Sequence, residues 1–537
     1  MHMQNYSPAS ERRQWRSGMT HPPQLLFQTG ERPKIRAAYS LSPRKCSGQD
    51  LTEHEPDGMS EIETGRHITS KAIPVDAQSA AVAVPRRRLA ERSFLTRLGA
   101  SGFSRIAGIS ASLLGTQALT SALGLIFWTL AAREFVTAEV GVAGAAIALM
   151  MLLGMFGSFG LGTALIARLP RTGSDERRVL VRTCLAAAAA AGVLLGLIVP
   201  TLAVHVFGAT ALEPIAGSIW PLLGFALGTG LTASVIVLDQ AVLTVGIGAL
   251  QLERNVSASA LKIGALAALG MAGMHGGMVI FLSWTIGNLL SLPLVAWRTR
   301  GGRMLAHGRR LVEPTLLRSI GRLALSHNAL NVSIQAALLL LPVLVTVLIS
   351  ASANASFNAA IMLAGFVFAL PYAVSIGLFA AARGDESEIV KRMRLTIPFG
   401  LAVSAAANLV LFPLAGPLLH IFGPTYATDG TVLLRLIVLA GLPFVVKDHF
   451  IALRRVQGRT TQALAVTSVF LVLELAGAAM GAQLGGVVGL CVGWLSVLGI
   501  EAIILAVPLI AALRDRVATS SPATGPEQSP TEAAGSR

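Results

Sequence analysis

His327, Asn331 and Gln335 recur every four positions inside an otherwise apolar stretch, 319–350. In a helix that spacing makes one polar stripe, and Arg322 and Asn328 fall close to it. An earlier stretch, 106–132, carries Ser110, Gln117, Ser121 and Gly124 on one helical face, and Asp239, Arg254 and Lys262 follow further on. Facing lipid, such groups are costly, about 2.5–3.5 kcal/mol for a central Arg, Lys or Asp. They must therefore face a cavity or another helix. A cavity shared by the two stripes is the reading favoured for His327, Asn331 and Gln335. For the Ser and Thr members, hydrogen bonds that hold helices together explain as much. Asp239 and Lys262 are placed to neutralise one another across neighbouring helices, and Arg254 to snorkel to the headgroups. The run Lys447-Asp448-His449 sits near the expected end of a helix, with Glu474 and Glu501 beyond it.

Enzyme chemistry is thin. The sequence holds no GxSxG elbow, no Walker A loop, no HExxH and no EF-hand loop. The three cysteines, Cys46, Cys184 and Cys491, are too scattered for a disulfide framework or a metal cluster. No cofactor, no metal and no catalytic residue is expected, and the chain reads as a non-enzyme.

The elements that position these residues follow from composition. Of 537 residues, 53% are hydrophobic and 13% charged, against about 25% charged in soluble proteins, so there is too little polar surface for a water-facing globule of this size. Crossing the hydrocarbon takes about 20 apolar residues. Twelve stretches qualify: 106–132, 139–167, 183–206, 216–250, 256–274, 277–297, 319–350, 355–381, 395–420, 432–453, 461–482 and 486–512. Two of them are long, with Gly228, Gly230 and Pro342 as candidate bends. Lys and Arg number five in 168–182, one in 251–255, seven in 298–322, four in 383–394 and three in 454–459; the opposite loops hold Arg133 and Arg435. Cytoplasmic loops collect such residues, which puts both termini inside. It also accounts for the formal net charge of +15 without nucleic acid.

Residues 1–85 are polar, Pro-rich and free of long apolar runs, hence expected to be disordered. Residues 86–105 form a basic juxtamembrane segment, and 513–537 a second disordered tail. Between them the chain repeats with an offset of 214 residues: AGAAIALM (143–150) lies over FNAAIMLA (357–364), and Gln117 and Ser121 fall on Asn331 and Gln335. Six helices per repeat give both halves one orientation. The expectation is an all-α integral membrane protein of twelve helices in two six-helix lobes, 106–300 and 316–512, related by a parallel pseudo-two-fold repeat.

Four segments add a resemblance. TLAAREFVTAEVGVAGAA (129–146), with Gly141 closing a short outer turn, and SFGLGTALIARL (158–169) resemble the first connections of polysaccharide flippases. IFGPTYATDGTVLLRLIVLAGL (421–442), with Phe422, Gly423 and Tyr426, and ALRRVQGR (452–459) resemble the same proteins further on. These belong to the multidrug/oligosaccharidyl-lipid/polysaccharide flippase superfamily, and the likeness covers about 104–512. The chain departs from it at 338–345 (LLLLPVLV), where many members carry an acidic residue. The resemblance implies a two-lobed bundle in a bacterial inner membrane. It would rock between inward-open and outward-open states and move a polyprenyl-diphosphate-linked oligosaccharide to the outer leaflet for surface polysaccharide synthesis. Lys262, Arg322 and Arg254 would meet the diphosphate, and Gln117, Asn331 and Gln335 the glycan; Asp239 and His327 complete the substrate-binding set. The implied partners are the lipid-linked oligosaccharide and the bilayer, with a polysaccharide polymerase and glycosyltransferases as the proteins that an assembly complex would add. Rival readings are an ion-coupled multidrug or cation exporter of the same superfamily, a major facilitator transporter and a non-transporting membrane component. The cationic bias opposes the first, and 168–182 lacks the glycine pattern of the second.

Overall fold

The computed structural model describes residues 103–244, 248–298, 314–382 and 386–518. The expected N-terminal tail, nearly all of the basic juxtamembrane segment, the 299–313 connection and residues 519–537 lie outside the described residues. So do the side chains of Gln117, Arg322 and His327. Residues 513–518, expected as the start of a disordered tail, instead continue the last helix.

Among the described residues every regular element is helical. In chain order these are α1 (Phe103–Glu134), α2 (Thr137–Gly157), α3 (Leu161–Arg168), α4 (Ser174–His205), α5 (Glu213–Ala216), α6 (Ile219–Thr244), α7 (Gly248–Met271), α8 (Gly277–Arg298), α9 (Pro314–Leu348), α10 (Ala351–Ala382), α11 (Glu386–His420), α12 (Pro424–Ile437), α13 (Gly441–Val456) and α14 (Thr460–Ala518). Nine helices among the described residues are long and apolar enough to cross a bilayer, α12 and α13 counting as one. One of the nine, α14, doubles back. Gly485 and Gly486 leave helical geometry, Gly486 at φ 59° and ψ −141°, a region that essentially only glycine tolerates. The two legs then pack backbone to backbone, so that a Cβ on Gly481 would overlap the carbonyl of Gly489. This matches the expected boundary between 461–482 and 486–512.

Other boundaries differ from expectation. The stretch 139–167 is not one helix: it breaks between α2 and α3, where Phe159 (φ 47°) and Gly160 (φ 69°) are left-handed. The break takes the Met155 carbonyl out of the helical ladder, and it is satisfied instead by Ser158 Oγ at 2.8 Å and Asn328 Nδ2 of α9 at 3.1 Å, as a buried carbonyl requires. The stretch 216–250 likewise divides, α6 ending at Thr244 and α7 beginning at Gly248. Gly228 and Gly230 do not bend α6. A Cβ on Gly230 would sit 2.6 Å from Val193 of α4, so that glycine serves close packing. Pro342 lies within an unbroken α9.

The packing scheme recurs between the halves. In the first, α1 packs on α7, α4 on α6 and α7 on α8; in the second, α9 packs on α14, α11 on α12 and α13, and the legs of α14 on each other. The halves meet where α1 and α2 pack on α10 and α2 packs on α9. One apolar cluster, including Phe127, Met150, Phe281, Phe357 and Trp494, spans both halves.

At one end of the bundle the seam between the halves is shut. Gly141 of α2 lies so close to α10 that a Cβ would overlap the Ala351 carbonyl. Asn354 Nδ2 donates to the Gly141 carbonyl at 2.8 Å, and Arg133 donates from Nε and Nη2 to the Ile421 carbonyl at 3.2 and 3.0 Å. Toward the other end, where the basic loops lie, the halves enclose a cavity.

Candidate functional site

The cavity has a volume of about 670 Å3 and is walled by α1, α2, α3, α6, α7 and α8 from the first half and by α9 and α10 from the second. Five of the eight residues singled out from sequence line it: Asp239, Arg254, Lys262, Asn331 and Gln335. On the other three the described side chains are silent, but Ser121 and Gly124, expected on the face of Gln117, do line the cavity.

The charges pair differently from expectation. Asp239 does not neutralise Lys262; it binds Arg254 in a two-pronged contact, Nε to Oδ1 and Nη2 to Oδ2, each 2.7 Å. The reason is geometric. The end of α6 and the start of α7 are close in sequence and the two helices touch, which sets Asp239 beside Arg254. The planar guanidinium matches both carboxylate oxygens where an ammonium could match only one. Arg254 therefore does not snorkel: it is 2% exposed and also donates to Asn255 Oδ1 at 2.6 Å. In the second half Asp448 is buried too, with Lys447 and Arg455 as its charged neighbours.

Lys262 is left without an anion among the described residues. Its Nζ stands 3.5 Å from the centre of the Trp284 ring and 5.8 Å from that of Phe127, a cation–π seat that offsets part of the cost of burial, roughly 0.5–2 kcal/mol. Gly287 makes this possible, since a Cβ there would lie 2.6 Å from the Lys262 backbone nitrogen. Phe127, Trp128 and Trp284 form an edge-to-face cluster beneath it.

Polar groups that the sequence reading did not single out for the site complete the wall: Gln240, Asn255, Asn288, Asn328 and Tyr372. Arg455 of α13 acts from behind, its Nη2 donating to Asn331 Oδ1 at 2.9 Å. In sequence Arg455 counts only as a loop cation, and nothing about Trp284 or Asn288 advertises the cavity. Their signal is three-dimensional, the pairing of α7 with α8. With Asp239 matched to Arg254, the described lining carries one net positive charge, amides on several sides and an aromatic floor. Such a site can hold an anionic group at Lys262, hydrogen-bond a polyhydroxylated group and stack flat rings.

No described protein family matches the sequence, and no curated protein matches it either. Solved structures do. One is an inward-facing multidrug resistance MATE family transporter of the MOP superfamily, 13% identical, covering 78% of this chain and 100% of that one with a TM-score of 0.57. A second is a MATE transporter in complex with MaD5, 14% identical, covering 78% and 98%, TM-score 0.52. The third is a MOP superfamily transporter from Pyrococcus furiosus, 15% identical, covering 77% and 96%, TM-score 0.51, for which a reversed polarity of the binding pocket is said to suggest a different function. The chain has the fold of the MATE transporters. At these identities the likeness speaks for architecture, and the cargo must be read from the cavity.

Proposed function

We propose that this protein is a transporter, not an enzyme, that moves a polyprenyl-diphosphate-linked oligosaccharide across a bacterial inner membrane by alternating access. One observation carries the reading: a cavity between two similarly packed halves, at about 670 Å3 within the range of ligand sites, holds a buried Lys262 with no described anionic partner. A buried ammonium without a counter-ion is costly unless the ligand supplies the charge. A diphosphate does so, amides such as Asn331, Gln335 and Asn288 suit the first sugars, and the lipid tail would stay in the bilayer.

The orientation follows from the basic loops. The shut end becomes the outer face and the cavity opens inward, with both termini in the cytoplasm. Adding α1 and α7 to the apolar helices, and dividing α14 in two, gives twelve crossings in two lobes. A polysaccharide polymerase and glycosyltransferases are the protein partners this reading implies.

The second reading, a multidrug or cation exporter, is favoured by the described function of one structural neighbour and opposed by the sign of the free charge. Reconstitution separates the two. In proteoliposomes carrying a fluorescent lipid-diphosphate oligosaccharide, the protein is expected to expose the label to an outside quencher, and to leave a cationic dye unmoved. Dye transport without flipping would overturn the proposal.

A further inference from the structure

Away from the cavity, α13 meets both legs of α14 around a cluster that the transport reading does not use. Lys447 Nζ donates to Glu474 Oε1 at 2.8 Å and to Glu501 Oε2 at 2.9 Å, and Trp494 Nε1 donates to Glu474 Oε2 at 2.8 Å. The sequence reading set Lys447 near a helix end; the structure places it deep in the second half. Lys447, Glu474 and Glu501 are 3%, 1% and 0% exposed.

Counting donors and charges shows an imbalance. Both oxygens of Glu474 accept a hydrogen bond, one of them from an ammonium. Glu501 accepts one, and its Oε1 has no partner. Two carboxylates share one ammonium, so with both ionised the cluster carries a net negative charge in a dry interior. That arrangement is costly. One added proton removes the excess, and the bare Oε1 of Glu501 is where it costs least.

We propose that the Lys447–Glu474–Glu501 cluster is a proton-binding site holding one exchangeable proton on Glu501. The step is balanced: the O–H bond of Glu501 breaks, water takes the proton, and Lys447 is then held by two carboxylates instead of one carboxylate and one acid. Asp448, next to Lys447, has Arg455 as a charged neighbour; Arg455 binds Asn331; and Tyr372, an electrostatic neighbour of both Asp448 and Arg455, lines the cavity. The charged group beside the cluster is Asp448, which has Lys447 as a neighbour; Arg455 on the same helix and Tyr372 on α10 are neighbours of Asp448, and His449 lies on the same helix. From α11 comes Thr396, whose hydroxyl pairs with His449. The proposal concerns the protein alone and holds whatever the cargo.

Infrared difference spectra of the purified full-length protein test it. The wild type is expected to show the carbonyl stretch of a buried carboxylic acid at neutral pH. The band should shift in heavy water and disappear as pH rises, because the acid form is lost above its own titration point. Glu501→Gln, which mimics the protonated state, is expected to fold and to lack the band; Asp448→Asn is expected to keep it. If Glu501→Gln fails to fold, Glu474→Gln answers the same question, since removing the surplus carboxylate leaves an even pair and the band must vanish. No acid band in the wild type, a band insensitive to heavy water, or one removed by Asp448→Asn and not by the Glu501 or Glu474 change would each overturn the proposal.

Discussion

Replacing Lys262 by Met tests the central assignment most directly. Met keeps the length and apolar stem of Lys and packs well on Trp284, so the shape of the cavity survives and only the charge is removed. Two effects compete. In the empty protein the change discards a desolvated ammonium along with a cation–π contact of about 0.5–2 kcal/mol, so folding stability should hardly move. In the loaded protein it discards a charge-assisted contact to the ligand, about 1.5–3 kcal/mol, which is roughly ten- to a hundred-fold in affinity. The assay is binding of a water-soluble diphosphate-linked oligosaccharide analogue to the purified protein in detergent, by calorimetry, with melting temperature measured in parallel. Lys262→Met is expected to weaken binding at least about tenfold while shifting the melting temperature by no more than about 2 °C. Lys262→Arg should retain much of the affinity, and affinity for an uncharged glycan of the same structure should be unchanged by either. Equal affinity of wild type and Lys262→Met for the diphosphate would refute the reasoning, because nothing else described in the lining offers an unmatched positive charge.

Other outcomes follow from the same geometry. Asp239→Asn leaves the Arg254 guanidinium buried without its carboxylate, so a loss of about 3–5 kcal/mol is expected; the double change with Arg254→Met should recover part of it, read as melting temperature. Gly141→Leu cannot be housed against the Ala351 carbonyl, so the outer seam should stay parted, and a cysteine placed at Ser121 should react faster with an impermeant thiol reagent added from outside. Arg133→Ala removes both hydrogen bonds to the Ile421 carbonyl. At about 1–1.5 kcal/mol in total, near the net value of a single hydrogen bond because the pair shares one acceptor, this should move the balance toward the outward state by roughly five- to tenfold, measurable by distances between spin labels on the two halves.

The architecture could be read in the sequence because its rule is simple. Apolar runs of the length of a bilayer have few alternatives to helix, and the expected gap between 461–482 and 486–512 falls where α14 turns back at Gly485 and Gly486. Breaks were harder: Phe159 is an unremarkable residue for a helix, and the break beside it is satisfied by Asn328, 173 positions from the Met155 carbonyl to which it donates. The site divides in the same manner. The polar stripe of Asn331 and Gln335 was visible because helical spacing is local. The partner of Asp239 was not, because two cations, Arg254 and Lys262, stood within reach on one helix and hydrogen-bond geometry made the choice. The depth of Lys447 was missed for a related reason. Its counter-charges, Glu474 and Glu501, lie 27 and 54 residues away, and only the folded-back legs of α14 bring them together.

α9 belongs by sequence to the second half, where it packs on α14 and α10, yet it also touches α2, α3, α4 and the short turn at 210–212 of the first. Two blocks cannot simply hinge apart along a plane drawn between residues 298 and 314, since that plane would cut through α9's own neighbours. The helix must travel with one block while the other slides past, or flex within itself. Pro342 offers the place, as its ring nitrogen gives nothing to the carbonyl one turn back. Any plane along which the helices part therefore need not coincide with the boundary between the two halves of the sequence.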